Sequence, residues 1–375
     1  MPERALRRRL RGFALNALLA LLATAVALGG LELLLRARPT LLGADFANGV
    51  LSKYTDDEGG IFYKDRQAQG RFMIPNLTTQ MYYNGYVWTH HTDALGFRNA
   101  VVAMPADIVL LGDSFIYGHG VDFESTVGAI LAQLTGLTVE NLARQGDCTL
   151  QQAYLVWAFV PLLRPRYVFY FFFENDLSDL HVFQDDAAMQ AFIDQPLEQI
   201  HFAPRLDPAQ ALRERETRLR GRSLLTLLKR SSYVYRAWRW LRWEFGPRRA
   251  LAAPSTGPAR DPGDEASLAW RYTKKAIVYM REVSRRHGAR FVIVPITPNT
   301  ARYGDILRRF AAQENIDFID TSALTMAHAS LWLPRDGHLS DAGARRFAEL
   351  AAAYVAAHPP IAPRLADSGA AGARR

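Results

Sequence analysis

The chain has 375 residues, of which 49% are hydrophobic and 22% are charged, a composition typical of a folded protein rather than a disordered one. Its single cysteine, Cys148, excludes an intramolecular disulfide. The net charge of +8 is local, because residues 1–38 carry +5 and residues 213–249 carry +9, which leaves the rest of the chain at −6. Since no nucleic-acid-binding motif accompanies these basic stretches, we expect no nucleic-acid partner.

The N-terminal region predicts a membrane helix. Residues 12–35 form an apolar run interrupted only by Asn16 and Glu32, and this run is long enough to cross about 30 Å of hydrocarbon. Five arginines precede the run and two follow it closely, which favours a cytoplasmic N-terminus and a folded part outside the cytoplasm. A cleaved signal peptide is the alternative, because Ala25-Val26-Ala27 has the form of a cleavage site.

From residue 106 onward, apolar runs that predict strands alternate with amphipathic stretches that predict helices. The predicted strands are Asp107 to Leu111, Leu137 to Leu142, Tyr167 to Phe173, Arg290 to Ile296 and Ile316 to Ile319. The predicted helices lie near residues 124–135, 149–162, 266–287, 303–313 and 341–357. Fully apolar strands such as YVFYFFF are typical of parallel sheets buried under helices, so the predicted fold is a doubly wound α/β sheet.

This pattern divides the chain into four predicted regions. They are a basic stretch and membrane anchor (1–38), a loop-rich extension with short strands (39–100), an α/β domain (101–360) that holds a helical insertion (181–264), and a disordered tail (361–375). The insertion has a predicted apolar helical face formed by Leu224, Leu227, Leu228, Val234, Tyr235, Trp238, Leu241 and Phe245. Arg236, Arg239, Trp240 and Trp243 are expected off that face. A helix at a membrane interface, a lid over the site and an ordinary packed helix all fit this pattern.

The residues Gly112-Asp113-Ser114 follow the first predicted strand of the sheet. A side chain at this strand end projects into the crevice where α/β sheets bind ligands, so Ser114 is a candidate nucleophile. Asp336 and His338 precede the last helix and can supply an orienting carboxylate and a general base. His119, which lies in a Gly-His-Gly turn near the serine, is expected to be structural rather than a second base.

A nucleophilic serine also needs donors for the negative charge that develops on the carbonyl oxygen. Gly146 follows the second predicted strand, and its lack of a Cβ lets a backbone N–H approach a substrate oxygen. Asn175 follows the third predicted strand and can donate its amide N–H. Together with the Ser114 N–H, these groups form the predicted oxyanion hole.

Ser114, Gly146, Asn175 and His338 occur in the order that gives the SGNH (GDSL) hydrolase superfamily its name. NLARQGDCTLQQA resembles the second family motif and FENDL the third, and the resemblance covers about residues 101–180 and 285–357. It implies a five-stranded parallel sheet of the flavodoxin-like, three-layer type. It also implies acyl-ester chemistry that uses no metal and no cofactor, with Ser114 as nucleophile and His338 as base.

The anchored layout is similar to bacterial family members that act on envelope or exported polysaccharides. The resemblance therefore implies an inner-membrane protein with a periplasmic catalytic domain that hydrolyses O-acyl groups, such as acetyl groups, of an acylated carbohydrate. The same residues would serve an O-acetyltransferase, a lipid or thioester esterase, or an inactive polysaccharide-binding module. Two departures from the family pattern stand out: Asp336 lies two residues before His338 rather than three, and Glu174 replaces the glycine that often begins the third motif.

Overall fold

The computed structural model describes residues 2–65, 70–205, 207–244, 264–297 and 301–361. The predicted disordered tail lies outside the described residues from position 362 onward, as does Phe245. The chain forms two compact units, of which the smaller comprises residues 1–52, 83–85 and 220–256 and the larger comprises the remainder.

Nine strands and thirteen α-helices occur in the described parts of the chain. The strands are β1 (Phe62–Asp65), β2 (Gly70–Met73), β3 (Thr78–Tyr83), β4 (Tyr86–His91), β5 (Ile108–Leu111), β6 (Val139–Asn141), β7 (Tyr167–Phe173), β8 (Arg290–Ile296) and β9 (Asp317–Phe318). The helices are α1 (Pro2–Ala37), α2 (Ala44–Leu51), α3 (Ser114–Tyr117), α4 (Val127–Thr135), α5 (Thr149–Leu163), α6 (Asn175–Phe183), α7 (Asp186–Asp194), α8 (Pro208–Arg220), α9 (Leu224–Ser231), α10 (Tyr233–Glu244), α11 (Leu268–Arg286), α12 (Ala301–Glu314) and α13 (Asp341–Ala357).

The larger unit is built on a five-stranded parallel sheet with the order β6-β5-β7-β8-β9. This confirms the predicted fold class, and the predicted bounds of β7 and β8 match the observed ones. Strand β7 is buried along almost its whole length, as its unbroken apolar sequence requires. Helices flank the sheet in packed pairs, α5 with α11 and α4 with α13.

The strand order determines where a ligand can bind. Because β5 is the first strand of the sheet and lies between the second (β6) and the third (β7), the chain changes direction across the sheet at β5. Ligands of doubly wound folds bind in the crevice outside the carboxyl ends of the strands at such a switch point. The residues that follow Leu111 and Phe173 therefore border the crevice that the topology creates.

A buried carboxyl group on β6 ties the loop segment that precedes β5 to the sheet. Glu140 accepts a hydrogen bond from the Ala103 N–H at 2.8 Å and one from Asn99 Nδ2 at 3.0 Å. Burial, with a smaller contribution from the nearby charge of Asp93, raises the pKa of Glu140 from 4.5 to about 9. Glu140 is therefore protonated in the folded protein at neutral pH, whereas it is ionised in the unfolded chain.

The smaller unit is built around the C-terminal end of α1. A buried cluster contains Leu35, Phe46 and Ala237, and partly buried side chains pack against it: Leu42, Val50, Tyr233, Val234 and Trp240. Residues Arg11–Ala37 of α1 are long and apolar enough to cross a membrane, and most of their large side chains are exposed.

The insertion departs from the predicted single helical face. The part of the insertion for which this face was predicted forms two helices, α9 and α10, which are separated at Ser232. Trp240, which was expected off the apolar face, packs in the cluster, whereas Trp238 and Leu241 are exposed. The break changes the helical phase, so a pattern extended through Ser232 assigns the wrong residues of α10 to the packed side.

The protonation of Glu140 predicts how stability depends on pH. Between about pH 5 and pH 9 the folded state holds a proton that the unfolded state releases, so this group's contribution to the free energy of unfolding falls as pH rises. Glu140→Gln is expected to lose less stability than the wild type across this range, as measured by thermal unfolding. Glu349→Gln, at a partly exposed site on α13, should follow the wild type. Parallel curves for wild type and Glu140→Gln would contradict the assignment.

Candidate active site

Ser114 lies at the start of α3, three residues after β5 ends. Gly112 permits the tight turn, because a Cβ there would come within 2.7 Å of the Ile116 side chain. Asp113 caps the helix by accepting the Phe115 N–H at 3.0 Å, and burial raises its pKa to about 6. The Asp113 carboxyl group thus serves the turn, and the Ser114 side chain remains available at the crevice.

The structure brings together the three residues proposed for proton transfer. Ser114 Oγ lies 2.7 Å from His338 Nε2, and His338 Nδ1 is hydrogen-bonded to Asp336 Oδ1. Ser114 is only 8% exposed, and the Asp336 side chain is buried. The serine hydroxyl can therefore pass its proton to an imidazole whose other nitrogen is held by a carboxylate.

A tight turn explains how Asp336 reaches His338 from only two residues away. Gly337 has φ +83° and Arg335 has φ +67°, so both residues occupy the left-handed region. The turn is closed by hydrogen bonds from the Gly337 N–H to the Leu333 carbonyl and from the Leu333 N–H to the His338 carbonyl. The shorter spacing thus still delivers the carboxylate to Nδ1 of the histidine.

A second imidazole faces the other oxygen of Asp336. His119 Nε2 lies 3.7 Å from Asp336 Oδ2, and the ring of His119 stacks on the ring of His338 with 4.2 Å between centroids. Gln145 Nε2 donates to His119 Nδ1 at 2.8 Å, which places the proton of the neutral ring on Nε2, toward Asp336. The sequence offered no sign of this contact, because the two residues are far apart in the chain.

The electrostatics of the cluster follow from these contacts. Burial raises the pKa of Asp336, but the nearby His119 ring and the hydrogen bond from His338 together outweigh burial and hold this pKa below its ordinary value. Burial lowers the pKa of His119, and the Asp336 carboxylate offsets this only in part. Asp336 is therefore ionised and His119 is neutral at neutral pH.

Gly146 and Asn175, proposed for the oxyanion hole, follow the second and third strands of the sheet. Gly146 has φ +73°, a conformation that favours glycine, and a Cβ there would meet open space. Asn175 begins α6, and its Nδ2 donates to Asp179 Oδ2 at 3.0 Å. One N–H of the Asn175 amide is thus held within its own helix, and the second N–H of the same nitrogen is the donor proposed for a substrate oxygen.

A cavity of about 540 Å³ adjoins Asn175. Its walls include the apolar side chains of Phe173, Leu177 and Leu268 together with Tyr303. Glu174, which replaces the glycine often found in the family motif, also lines this cavity. The position next to a proposed oxyanion donor makes the cavity a candidate site for an apolar part of a substrate.

The short sequence Gly96-Phe97-Arg98-Asn99-Ala100 braces the loop behind Ser114. The buried Arg98 guanidinium donates hydrogen bonds to four backbone carbonyls, those of Thr89, Tyr117, Gly118 and Val121. Tyr117 and Gly118 lie at the C-terminal end of α3, the helix that begins with Ser114. Nothing in the sequence indicated this bracing role, because the partners of Arg98 are backbone atoms that carry no residue-type signal.

One group in the described part of the chain has side-chain atoms spaced as metal ligands, namely His119, Asp336 and His338. Both nitrogens of His338 already have protein partners, Ser114 and Asp336. The hydrogen bonds of the cluster therefore account for its geometry.

Comparison with known proteins found similarity to solved structures at low sequence identity. No family model matches the chain, and no curated protein matches it. Among solved structures, TesA is 13% identical and covers 66% of this chain and 97% of its own, with a TM-score of 0.35. A proposed SGNH hydrolase from Slackia heliotrinireducens is 12% identical and covers 67% and 98%, with a TM-score of 0.35. A lipase/acylhydrolase from Enterococcus faecalis is 13% identical and covers 68% and 98%, with a TM-score of 0.33.

Two of the similar structures carry a family description: the Slackia heliotrinireducens protein is described as an SGNH hydrolase, and one from Desulfitobacterium hafniense is described as a lipolytic protein of the G-D-S-L family. Identities and TM-scores at this level do not bear on the reaction. The assignment of chemistry therefore rests on the contacts of Ser114, His338 and Asp336.

The contacts of Arg98 predict its contribution to stability. Arg98→Met leaves four carbonyls without their charged donor, so we expect a loss of about 3 kcal/mol or more in the free energy of unfolding. Urea unfolding of the solubilised protein measures this loss. Arg166→Met removes a partly exposed pair with Asp107 and should cost about 1 kcal/mol or less. Equal losses in the two variants would contradict the bracing role.

Proposed function

We propose that this protein is a serine-dependent acyl-ester hydrolase. The observation that carries the proposal is the continuous hydrogen-bonded line from Ser114 Oγ through His338 to Asp336. Serine alone is a weak nucleophile at neutral pH, and this arrangement supplies both the base that activates it and the carboxylate that stabilises the resulting imidazolium.

The reaction proceeds in two steps. Ser114 Oγ attacks the ester carbonyl while His338 Nε2 takes the hydroxyl proton, and the charge that develops on the carbonyl oxygen is bound by the N–H groups of Ser114 and Gly146 and by the Asn175 amide. His338 then returns the proton to the departing alcohol, which leaves an acyl-enzyme. His338 then takes a proton from a water molecule, which attacks this ester, and the same proton is returned to Ser114 Oγ as the acid is released.

The proposed substrate is an O-acyl group, such as acetyl, on an envelope or exported polysaccharide. The resemblance to membrane-anchored bacterial family members supports this choice. The apolar helix Arg11–Ala37 supports the proposed placement, in which the N-terminus is cytoplasmic and the catalytic domain is periplasmic. The serine, base and oxyanion donors would serve an acetyltransferase equally well, with a sugar hydroxyl in place of water.

The cavity beside Asn175 favours a second candidate, an esterase for longer acyl chains. Its volume of about 540 Å³ is larger than an acetyl group fills, and its walls are mostly apolar. A series of p-nitrophenyl esters separates the candidates, since an acetyl-specific enzyme prefers the shortest ester and a lipid esterase prefers the longer ones.

The catalytic proposal is tested by replacing the serine. Ser114→Ala is expected to lower the turnover of p-nitrophenyl acetate by about 1000-fold or more, because no other group can form the acyl-enzyme. The assay uses the detergent-solubilised full chain. Ser330→Ala, at an exposed serine, is the matched control and should keep wild-type turnover. Equal turnover by the wild type and Ser114→Ala would refute the proposal, and would favour a polysaccharide-binding module.

The contact between His119 and Asp336 gives a separate prediction. His119→Ala removes the ring that stacks on His338 and places an N–H 3.7 Å from the Asp336 carboxylate, so we expect kcat to fall by about 10-fold with KM unchanged. His119→Gln keeps an N–H donor and should recover part of the loss. If both variants lose activity only in proportion to a fall in folded protein, measured by thermal unfolding, then His119 has a purely structural role.

A further inference from the structure

The smaller unit presents exposed apolar side chains next to the proposed membrane helix. On α9, Leu224 is 73% exposed and Leu228 is 56% exposed, and on α10 Trp238 is 51% exposed. These side chains lie outside the buried cluster that joins α10 to α1. Their exposure on a unit that also contains α1 indicates that a surface other than water covers them.

Glu32 links the insertion to α1 at a defined position along the length of α1. Its carboxylate accepts hydrogen bonds from the N–H groups of Tyr233 and Val234 at 3.0 and 2.9 Å, and from Ser232 Oγ at 3.0 Å. The anion thus caps the N-terminus of α10, where the helix dipole favours negative charge. Arg36 completes the link by donating to Glu32 and to the Ser231 carbonyl.

The depth of Glu32 relative to the membrane follows from the number of helical residues that cross the hydrocarbon core. A hydrocarbon core of about 30 Å takes about 20 helical residues, and counted from Gly12 these end at Leu31. Glu32 is therefore at the boundary between hydrocarbon and headgroups, and the start of α10 is tied to this same boundary. Amphipathic helices that lie on membranes occupy this depth.

The charge of the two helices suits an anionic surface. Helices α9 and α10 contain five basic residues and one acidic residue: Lys229, Arg230, Arg236, Arg239, Arg242 and Glu244. Lys229, Arg239 and Arg242 are exposed, and Arg242 also stacks over the Trp238 ring at 5.4 Å. Basic residues beside exposed leucine and tryptophan are typical of helices that bind anionic lipid headgroups.

We propose that α9 and α10 form an interfacial membrane-binding surface, which inserts its exposed leucines at the acyl boundary and binds anionic phospholipid headgroups through its basic residues. The proposal concerns the leaflet at the C-terminal end of α1. It rests on α1 as a membrane span and is independent of the ester chemistry proposed for Ser114.

The test measures the depth of spin labels on the full chain in proteoliposomes. Labels are placed by Leu228→Cys on α9, by Leu18→Cys within α1 and by Leu162→Cys on the exposed side of α5; Cys148 is fully buried and remains unlabelled. Collisions with oxygen report contact with hydrocarbon, and collisions with a water-soluble nickel complex report contact with water. In bilayers containing phosphatidylglycerol, the Leu228 label is expected to resemble the Leu18 label, with oxygen collisions several-fold more frequent than nickel collisions.

Charge variants test the headgroup contribution. Replacing Lys229, Arg239 and Arg242 together by Gln should make the Leu228 label shallower in phosphatidylglycerol bilayers, whereas in pure phosphatidylcholine the variant and the parent should agree. Equal depth of the parent in both lipids would overturn the binding of anionic headgroups.

Three other outcomes would overturn the proposal. A Leu228 label open to nickel, like the Leu162 label, means that the surface faces water. A label shielded from both reagents means that protein covers it, either a second copy or another part of the chain. A Leu18 label open to nickel means that α1 does not span the membrane. Hydrolysis of p-nitrophenyl acetate in the same samples shows separately whether the catalytic proposal holds.

Discussion

The candidate active site of the larger unit depends on the position of one imidazole ring, that of His338, between a hydroxyl and a carboxylate. Its two nitrogens bind Ser114 and Asp336, which belong to segments separated by more than 200 residues in the chain. A hydrogen bond between such distant segments is kept only if both backbones are held rigidly. The sheet holds the serine at the end of β5, and the left-handed turn at Gly337 holds the carboxylate.

Buried polar contacts supply the remaining rigidity. Arg98 bonds the backbone around the end of α3, and Asn99 joins the same segment to Glu140 on β6. Each of these groups would destabilise the fold if it lacked partners, so the contacts specify one conformation rather than merely adding attraction. The segment before the first strand of the sheet is therefore part of the framework of the site.

In the smaller unit a single carboxylate has a comparable structural role. Glu32 is the one acidic residue in the apolar run 12–35, where an unpaired charge would be unfavourable. In the structure the Glu32 carboxylate is hydrogen-bonded to Arg36 and to the N-terminus of α10, so its charge connects α1 to α10. In the sequence Glu32 is only an interruption of the apolar run. In the structure it attaches α10 to α1.

The sequence by itself determined the α/β class, the bounds of β7 and β8 and the apolar helix near the N-terminus, because periodicity and unbroken apolar runs are local properties. It also identified Ser114, Asp336 and His338 as partners, since their residue types and strand-end positions limit what they can do. Only the tertiary structure decided that His119 faces Asp336, that Arg98 braces the turn behind Ser114, that Asn175 is bonded to Asp179 and that the insertion breaks at Ser232. Those features depend on contacts with backbone atoms or with residues distant in the chain, and neither leaves a periodic signal in the sequence.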